Sequence, residues 1–257
     1  MVKIKILGSS SGVPTKKRYP ASILLSIDKD IYLLDCGDSS SSLLVRNGVS
    51  YNKIKSVFIS HMDPDHSSGI FMLIQLMELT GRRLPLKVFV PQEAVDGLNK
   101  YLEIVYLFKE LLHFNLEILP IKEEGFTYRD KNLTLSAYLN NHLKDRLKEK
   151  YPHLKLQSYS FLLEAEGKRI VYSGDVSKVE DLEPLLKEDI ELLISEIAHF
   201  KPEELFKFLL KKKVKKIILT HIHPDLDNRE DKLVELGNKY LGRNKVSVAY
   251  DGLEMEI

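Results

Sequence analysis

Short apolar runs recur along this chain, and again and again they end in a histidine or a carboxylate. Val2 to Leu7 alternates apolar and polar positions and predicts a strand; Ser22–Ile27 and Ile31–Leu34 predict a hairpin around Asp28-Lys29-Asp30. Ser56 to Ser60, β-branched and aromatic, reads as a buried strand, and the apolar stretch from Ile70 to Leu79 is long enough for a helix. Further strands are expected at Leu86–Val90, Leu116–Ile121, Leu133–Tyr138, Tyr159–Glu164, Arg169–Tyr172, Ile190–Ile194 and Lys215–Leu219, with two more at 246–250 and 253–257. Apolar residues at helical spacing predict helices from about Gln92 to Leu112, from Pro202 to Lys213 and near Asp231–Tyr240, and a short one ends at Asn47-Gly48. Residues 143–155 are densely charged and read as a surface excursion bordering the site. Strands and helices follow one another with no linker or low-complexity stretch. The expectation is one domain over residues 1–257, an α+β (α/β) fold of mixed sheets covered by helices.

The polar ends of these runs carry the chemistry. His61-Met62-Asp63-Pro64-Asp65-His66 sets two imidazoles and two carboxylates on one turn between a strand and a helix. Loops at strand ends are where such folds place ligands, because the loop can be polar while the strand stays dry. Four such groups repel one another and lose hydration unless a cation joins them. Imidazole together with carboxylate suits Zn, Mn or Fe rather than Ca or Mg. A single histidine after a strand is usually an ordinary polar residue, but here the pattern repeats. His142, Asp175, the pair Glu196/His199 and His221 each follow a later strand. A shared divalent-metal centre is the reading that accounts for all of them. The small-residue loop Gly8–Pro14 has backbone amides that could hold an anion. His223 reads as the cap of the Pro224 turn, and His113 and His153 stand outside any such context.

Composition narrows the setting. With 38 basic and 37 acidic residues the net charge is +1, so no global field points to nucleic acid. Cys36 is the only cysteine and cannot form an internal disulfide, which fits a reducing cytosol and a cytoplasmic location. The first residues begin a strand rather than a signal peptide, and no apolar run approaches the ~20 residues of a membrane span. No membrane partner is expected.

These motifs resemble the metallo-β-lactamase fold superfamily, and within it the ribonuclease Z-like branch. The likeness lies in the 61–66 loop, His142, Gly174-Asp175 and His221. It extends to Leu7-Gly8-Ser9-Ser10-Ser11-Gly12-Val13-Pro14-Thr15, Leu34-Asp35-Cys36-Gly37-Asp38 and Ile218-Leu219-Thr220-His221. The resemblance implies a four-layer αββα sandwich of two mixed β-sheets flanked by helices. It implies two divalent metal ions, one held by His61, Asp63 and His142, the other by Asp65, His66 and His221, with Asp175 bridging. It implies a metal-dependent hydrolase, a phosphodiesterase or nuclease-like enzyme acting through metal-activated hydroxide. Asp65 would orient the water, Glu196 would orient His199, and His199 would protonate the leaving group. A homodimer is implied as well.

Two departures from that family sharpen the expectation. Asp63 stands where the family has a histidine, and a harder, anionic ligand shifts the first site toward Fe or Mn over Zn. Carboxylate at this position also occurs in flavo-diiron proteins, so a di-iron oxidoreductase or oxygenase is the alternative; a thioester or lactone hydrolase is another. The glycine- and proline-rich arm by which ribonuclease Z grips transfer RNA is not visible. The substrate is therefore expected to be a small phosphodiester, such as a cyclic nucleotide, before an RNA.

Overall fold

Alternating side chains on the strands meet in one layer between two sheets. The computed structural model describes residues 1–257. The first sheet runs in the order β14-β1-β2-β3-β4-β5-β6. In chain order these are β1 (Val2–Gly8), β2 (Ser22–Ile27), β3 (Asp30–Leu34), β4 (Ile54–Phe58), β5 (Leu86–Pro91), β6 (Leu116–Ile121) and β14 (Glu254–Glu256). The second runs β13-β12-β11-β10-β9-β8-β7. Its members are β7 (Phe126–Arg129), β8 (Thr134–Leu139), β9 (Tyr159–Ala165), β10 (Lys168–Tyr172), β11 (Ile190–Glu196), β12 (Val214–Thr220) and β13 (Val246–Val248). Both sheets are mixed: β3 to β6 pair in parallel, as do β10 to β13, while the remaining neighbours are antiparallel.

Odd and even positions go to different cores. Ile23, Leu25 and Ile27 of β2 point into the layer between the sheets, with Phe58, Phe161, Tyr172 and Ile194, while Leu24 and Leu33 face outward. Helices α1 (Ser40–Arg46), α3 (Ile70–Leu79) and α4 (Val95–Ile104) flank the first sheet, whose outward core takes in Leu43, Leu73 and Leu98. Helices α6 (Pro202–Leu209) and α7 (Glu230–Leu241) flank the second, whose core includes Leu205, Phe206 and Leu233. Toward the rim, β4 (Val57-Phe58) and β12 (Ile217-Ile218-Leu219) are buried on both faces, which is why those stretches read as continuous apolar runs. Phe58 stacks on Phe89 with ring centroids 5.0 Å apart at the centre of this packing. Truncating Phe58 to alanine would cost about 3–5 kcal/mol.

Three expected elements end differently, and of these the helix expected over Pro202–Lys213 stops at Leu209. The helix expected as far as Leu112 stops at Ile104. Leu107 N–H bonds Leu102 C=O at 2.8 Å and Tyr106 N–H bonds Glu103 C=O at 3.1 Å, with Tyr106 at φ 61°. This pair of hydrogen bonds at a left-handed residue closes the helix end and reverses the chain. The 143–155 excursion begins as a short helix, α5 (His142–Leu147). No helix is long and apolar enough to cross a membrane.

Candidate metal centre

The parallel strands deliver their polar ends to one rim. Asp35 follows β3, His61 follows β4, and Asp63, Asp65 and His66 lie on the turn into α2 (Pro64–Ser67). From the second sheet come His142 after β8, Asp175 after β10, Glu196 at the end of β11 and His221 after β12. Three overlapping sets of donor atoms result, His61, Asp63 and His142, then Asp65, His66, Asp175 and His221, and His142, Asp175 and His199, each within 4.8 Å of one another. Asp175 joins the sets. Its Oδ1 lies 3.3 Å from His66 Nε2, and its Oδ2 lies 3.2 Å from His221 Nε2, 3.8 Å from His61 Nε2 and 3.9 Å from His142 Nε2. Asp63 Oδ2 is 3.7 Å from both His61 Nε2 and His142 Nε2.

The hydrogen-bond chain behind the rings fixes which nitrogen faces inward. Asp35 is fully buried and accepts four donors: Ser60 N–H at 2.7 Å, Ser60 Oγ at 2.9 Å, His66 Nδ1 at 2.7 Å and Tyr172 OH at 2.6 Å. Because the Ser60 hydroxyl donates to Asp35, it accepts from His61 Nδ1 at 3.0 Å. Both rings therefore carry a proton on Nδ1 and turn Nε2 toward the carboxylates. Asn140 braces the second sheet's contribution, accepting from His142 N–H and donating to Asp175 C=O. Gly174 brings the backbone in at φ 55°; a Cβ there would lie 2.8 Å from Tyr159 O and 3.1 Å from Ser60 Cβ.

What faces the centre is left unpaired. His61 Nε2, His66 Nε2, His142 Nε2 and Asp175 Oδ1 are buried with no hydrogen-bond partner. Each such group ordinarily costs about 1–3 kcal/mol. Lone pairs pointed at carboxylates are repulsive unless a cation lies between them. Two ligands each ~2.1 Å from one ion stand roughly 3.4 Å apart at a tetrahedral angle, close to the spacings found here. The donor set thus fits divalent metal. The charges show the same demand. Burial works against it, but the negative Asp175 and Asp35 hold His66 well above the usual imidazole range; Asp175 itself is buried, yet His221 and His66 hold it well below the usual carboxylate range.

Glu196 and His199 flank this centre. Glu196 is fully buried; its Oε1 accepts Val176 N–H at 2.7 Å and its Oε2 accepts His199 Nδ1 at 2.7 Å. Burial lowers His199, but the hydrogen bond and charge of Glu196, with Asp175, outweigh it and raise the ring, while the positive Arg146 opposes them. The Arg146 guanidinium reaches in from α5, Nη2 donating to Asp63 Oδ2 at 2.7 Å. The Gly8–Pro14 loop is not an anion cradle at its serines. Ser9 N–H goes to Asp251 Oδ1, Ser10 N–H to Tyr19 C=O and Ser11 N–H to Ile222 C=O. It pins the segment carrying His221, which sits in the left-handed region at φ 56°. His223 caps its turn, Nδ1 accepting from Asp225 N–H, and His113 pairs with Glu78. Asp35, Ser60, Tyr172, Asn140 and Arg146 carried no role in the sequence reading. Asp35 offered two signals, a carboxylate at a strand end and a place in the Leu34–Asp38 segment of the resemblance.

A family model described as Anti-Pycsar protein Apyc1 matches residues 2–238. Ribonuclease Z of Picrophilus torridus is 27% identical, over 85% of this chain and 85% of its own length. Ribonuclease Z of Methanosarcina acetivorans is 28% identical over 100% of this chain and 98% of its own. Among solved structures, the metallo-β-lactamase fold protein YhfI from Bacillus subtilis superposes with a TM-score of 0.80 at 19% identity, covering 100% of this chain and 99% of that one. Human tRNase Z, short form, superposes with a TM-score of 0.75 at 18% identity, covering 99% of each. The fold and the ribonuclease Z-like branch expected from the motifs are borne out.

Proposed function

Because the chain belongs to the Anti-Pycsar protein Apyc1 family, we propose that it is a metal-dependent phosphodiester hydrolase with a two-metal centre and a small substrate, a cyclic nucleotide being the best fit. The observation that carries this is the set of buried, unpartnered donors, His61 Nε2, His66 Nε2, His142 Nε2 and Asp175 Oδ1, facing one another across the rim. His61, Asp63 and His142 would hold one ion, and Asp65, His66 and His221 the other, with Asp175 spanning both. Bound there, Zn, Mn or Fe would acidify a water toward pKa ~7 and neutralise phosphoryl charge.

The remaining work falls to the side chains. Asp65, partly open and 3.5 Å from His66 Nε2, orients the attacking water and takes its proton. As the water oxygen bonds to phosphorus, the bond to the leaving oxygen breaks and that oxygen needs a proton. His199 supplies it: Nδ1 is tied to Glu196, so Nε2 is the nitrogen offered to substrate. Glu196 sets the ring's orientation by holding it and the adjacent backbone amides together. The ribonuclease Z relatives make RNA the second substrate to test.

Turnover of bis(p-nitrophenyl) phosphate, cyclic AMP and a pre-tRNA, each with Mn or Zn, tests the reading. Hydrolysis of the first two is expected, with Asp65→Ala and His221→Ala inert. Retained rates in those variants, or oxygen consumption by an iron-loaded protein without ester cleavage, would contradict it.

A further inference from the structure

The rim has a cation that the hydrolytic reading leaves unused. Arg146 lies four residues after His142 on α5, so the two share a helix face. Its Nη2 donates to Asp63 Oδ2 at 2.7 Å, and that same oxygen is 3.7 Å from His61 Nε2 and from His142 Nε2. This single contact anchors the guanidinium beside the donor set without consuming it. Nε and Nη1 have no protein partner, and the side chain is 46% exposed, so these donors are available to a ligand. The neighbouring basic residues are committed elsewhere: Lys144 pairs with Glu123, and Lys148 donates to Pro152 and Leu154 carbonyls. Arg146 is also near His199, since its charge opposes protonation of that ring.

Three carboxylates, Asp63, Asp65 and Asp175, crowd the centre. An anionic diester approaching it gains from a fixed positive charge at the mouth. A guanidinium presents its donors in a planar fork that matches two oxygens of a phosphate. We propose that Arg146 is the phosphate clamp of this site, anchored by Asp63 and binding non-bridging phosphoryl oxygens through the guanidinium N–H donors that Asp63 leaves free. The proposal rests on the phosphodiester reading and extends it. It also gives the carboxylate at position 63 a purpose that a neutral histidine could not serve, since a histidine there would leave the guanidinium unanchored.

The test compares metal-loaded wild type, Arg146→Gln and Arg146→Lys. Orthophosphate binding is measured by calorimetry, metal content by elemental analysis, and KM and kcat on bis(p-nitrophenyl) phosphate. For Arg146→Gln, orthophosphate affinity should fall and KM should rise by roughly 10–100-fold, the worth of a charged hydrogen bond. The kcat should stay within about threefold, as for an interaction made equally in ground and transition states, with metal content unchanged. Arg146→Lys should recover part of the phosphate affinity as a point charge. Equal phosphate affinity in wild type and Arg146→Gln, no phosphate binding by wild type, or loss of metal from Arg146→Gln would each overturn the clamp. Arg146-dependent phosphate binding by a protein that cleaves no diester would keep the clamp and sink the hydrolase reading.

Discussion

Two polar clusters sit at opposite ends of the same strands, and they treat their charges in opposite ways. At the start of β3 and β4, and in the turn between β7 and β8, Asp130 accepts Tyr32 OH and Tyr128 OH at 2.7 Å each and pairs with Lys55 at 2.7 Å. Lys55 also meets Asp30, and the Asp130 carboxylate takes the amides of Asn132 and Leu133. Close by, the buried Arg82 spends its donors on the carbonyls of Asn52, Ile54, Leu84 and Pro85. Each of these charged groups meets a partner. At the other end of β3, β4 and β8 the ring nitrogens and Asp175 Oδ1 are orphaned. Charged groups buried for structure alone are paired here, whereas the unpartnered atoms outside the rim are mostly neutral hydroxyls and amides such as Ser56 Oγ and Asn238 Oδ1. The unsatisfied end therefore marks where a ligand completes the set.

Substitutions should split along this line. The largest effect is expected from Asp175→Ala, which removes the carboxylate spanning both donor sets. Turnover should fall on the order of a thousandfold or more, and bound metal should fall with it. A variant that keeps wild-type turnover and wild-type metal content would remove the distinction between the clusters. Next comes Asp35→Asn, which disturbs the orientation of His66 and, through Ser60, of His61. Metal affinity, read by competition with a chromophoric chelator, should weaken by about 10–100-fold.

The opposite cluster should respond only in stability. Arg82→Met leaves four carbonyls without their donor, and Asp130→Asn uncouples Lys55 and two tyrosines; denaturant unfolding should show losses of about 1–3 kcal/mol for each. Metal content and turnover per folded molecule should be unchanged. The smallest effect is in pH. Burial works against its charge, but Lys55, the two tyrosine hydroxyls and the Asn132 amide hold Asp130 below the usual carboxylate range. Its folded pKa is thus lower than its unfolded value of ~3.9. The stabilisation is complete above that value and is lost as pH falls toward the folded one. The stability gap between wild type and Asp130→Asn should accordingly narrow below about pH 4; a constant gap would mean that Asp130 is not the group responsible.

The difference between the clusters also explains what the sequence disclosed. The strand ends bearing His61, His142, Asp175 and His221 were legible because a strand followed by a polar turn is a local pattern, and each residue fell where its own run stopped. The layering was legible for the same reason: residues with alternating burial partition themselves between cores. Asp35 was visible as a carboxylate after a strand and within the Leu34–Asp38 segment of the resemblance, but its role was not, because that depends on His66 and on Tyr172, distant in sequence and meeting it only once both sheets are assembled. Arg146 was hidden in a charged run where nothing local separates it from Lys144 or Lys148. The short β7, Phe126–Arg129, escaped because its alternation lasts too few residues to stand out, and both its exposed positions are polar. The early end of α4 escaped because a tyrosine, not a glycine, occupies the left-handed position at 106.

The central claim is that the orphaned donors form one shared cation centre, and counting ions tests it most directly. Metal-stripped wild type and Asp175→Asn would be dialysed against Mn or Zn and their bound metal measured per chain. The account predicts two ions in wild type and a deficit in Asp175→Asn, with the fold of the variant intact by circular dichroism. A wild type that retains no metal, or an Asp175→Asn variant that retains the full complement with unaltered affinity, would contradict it.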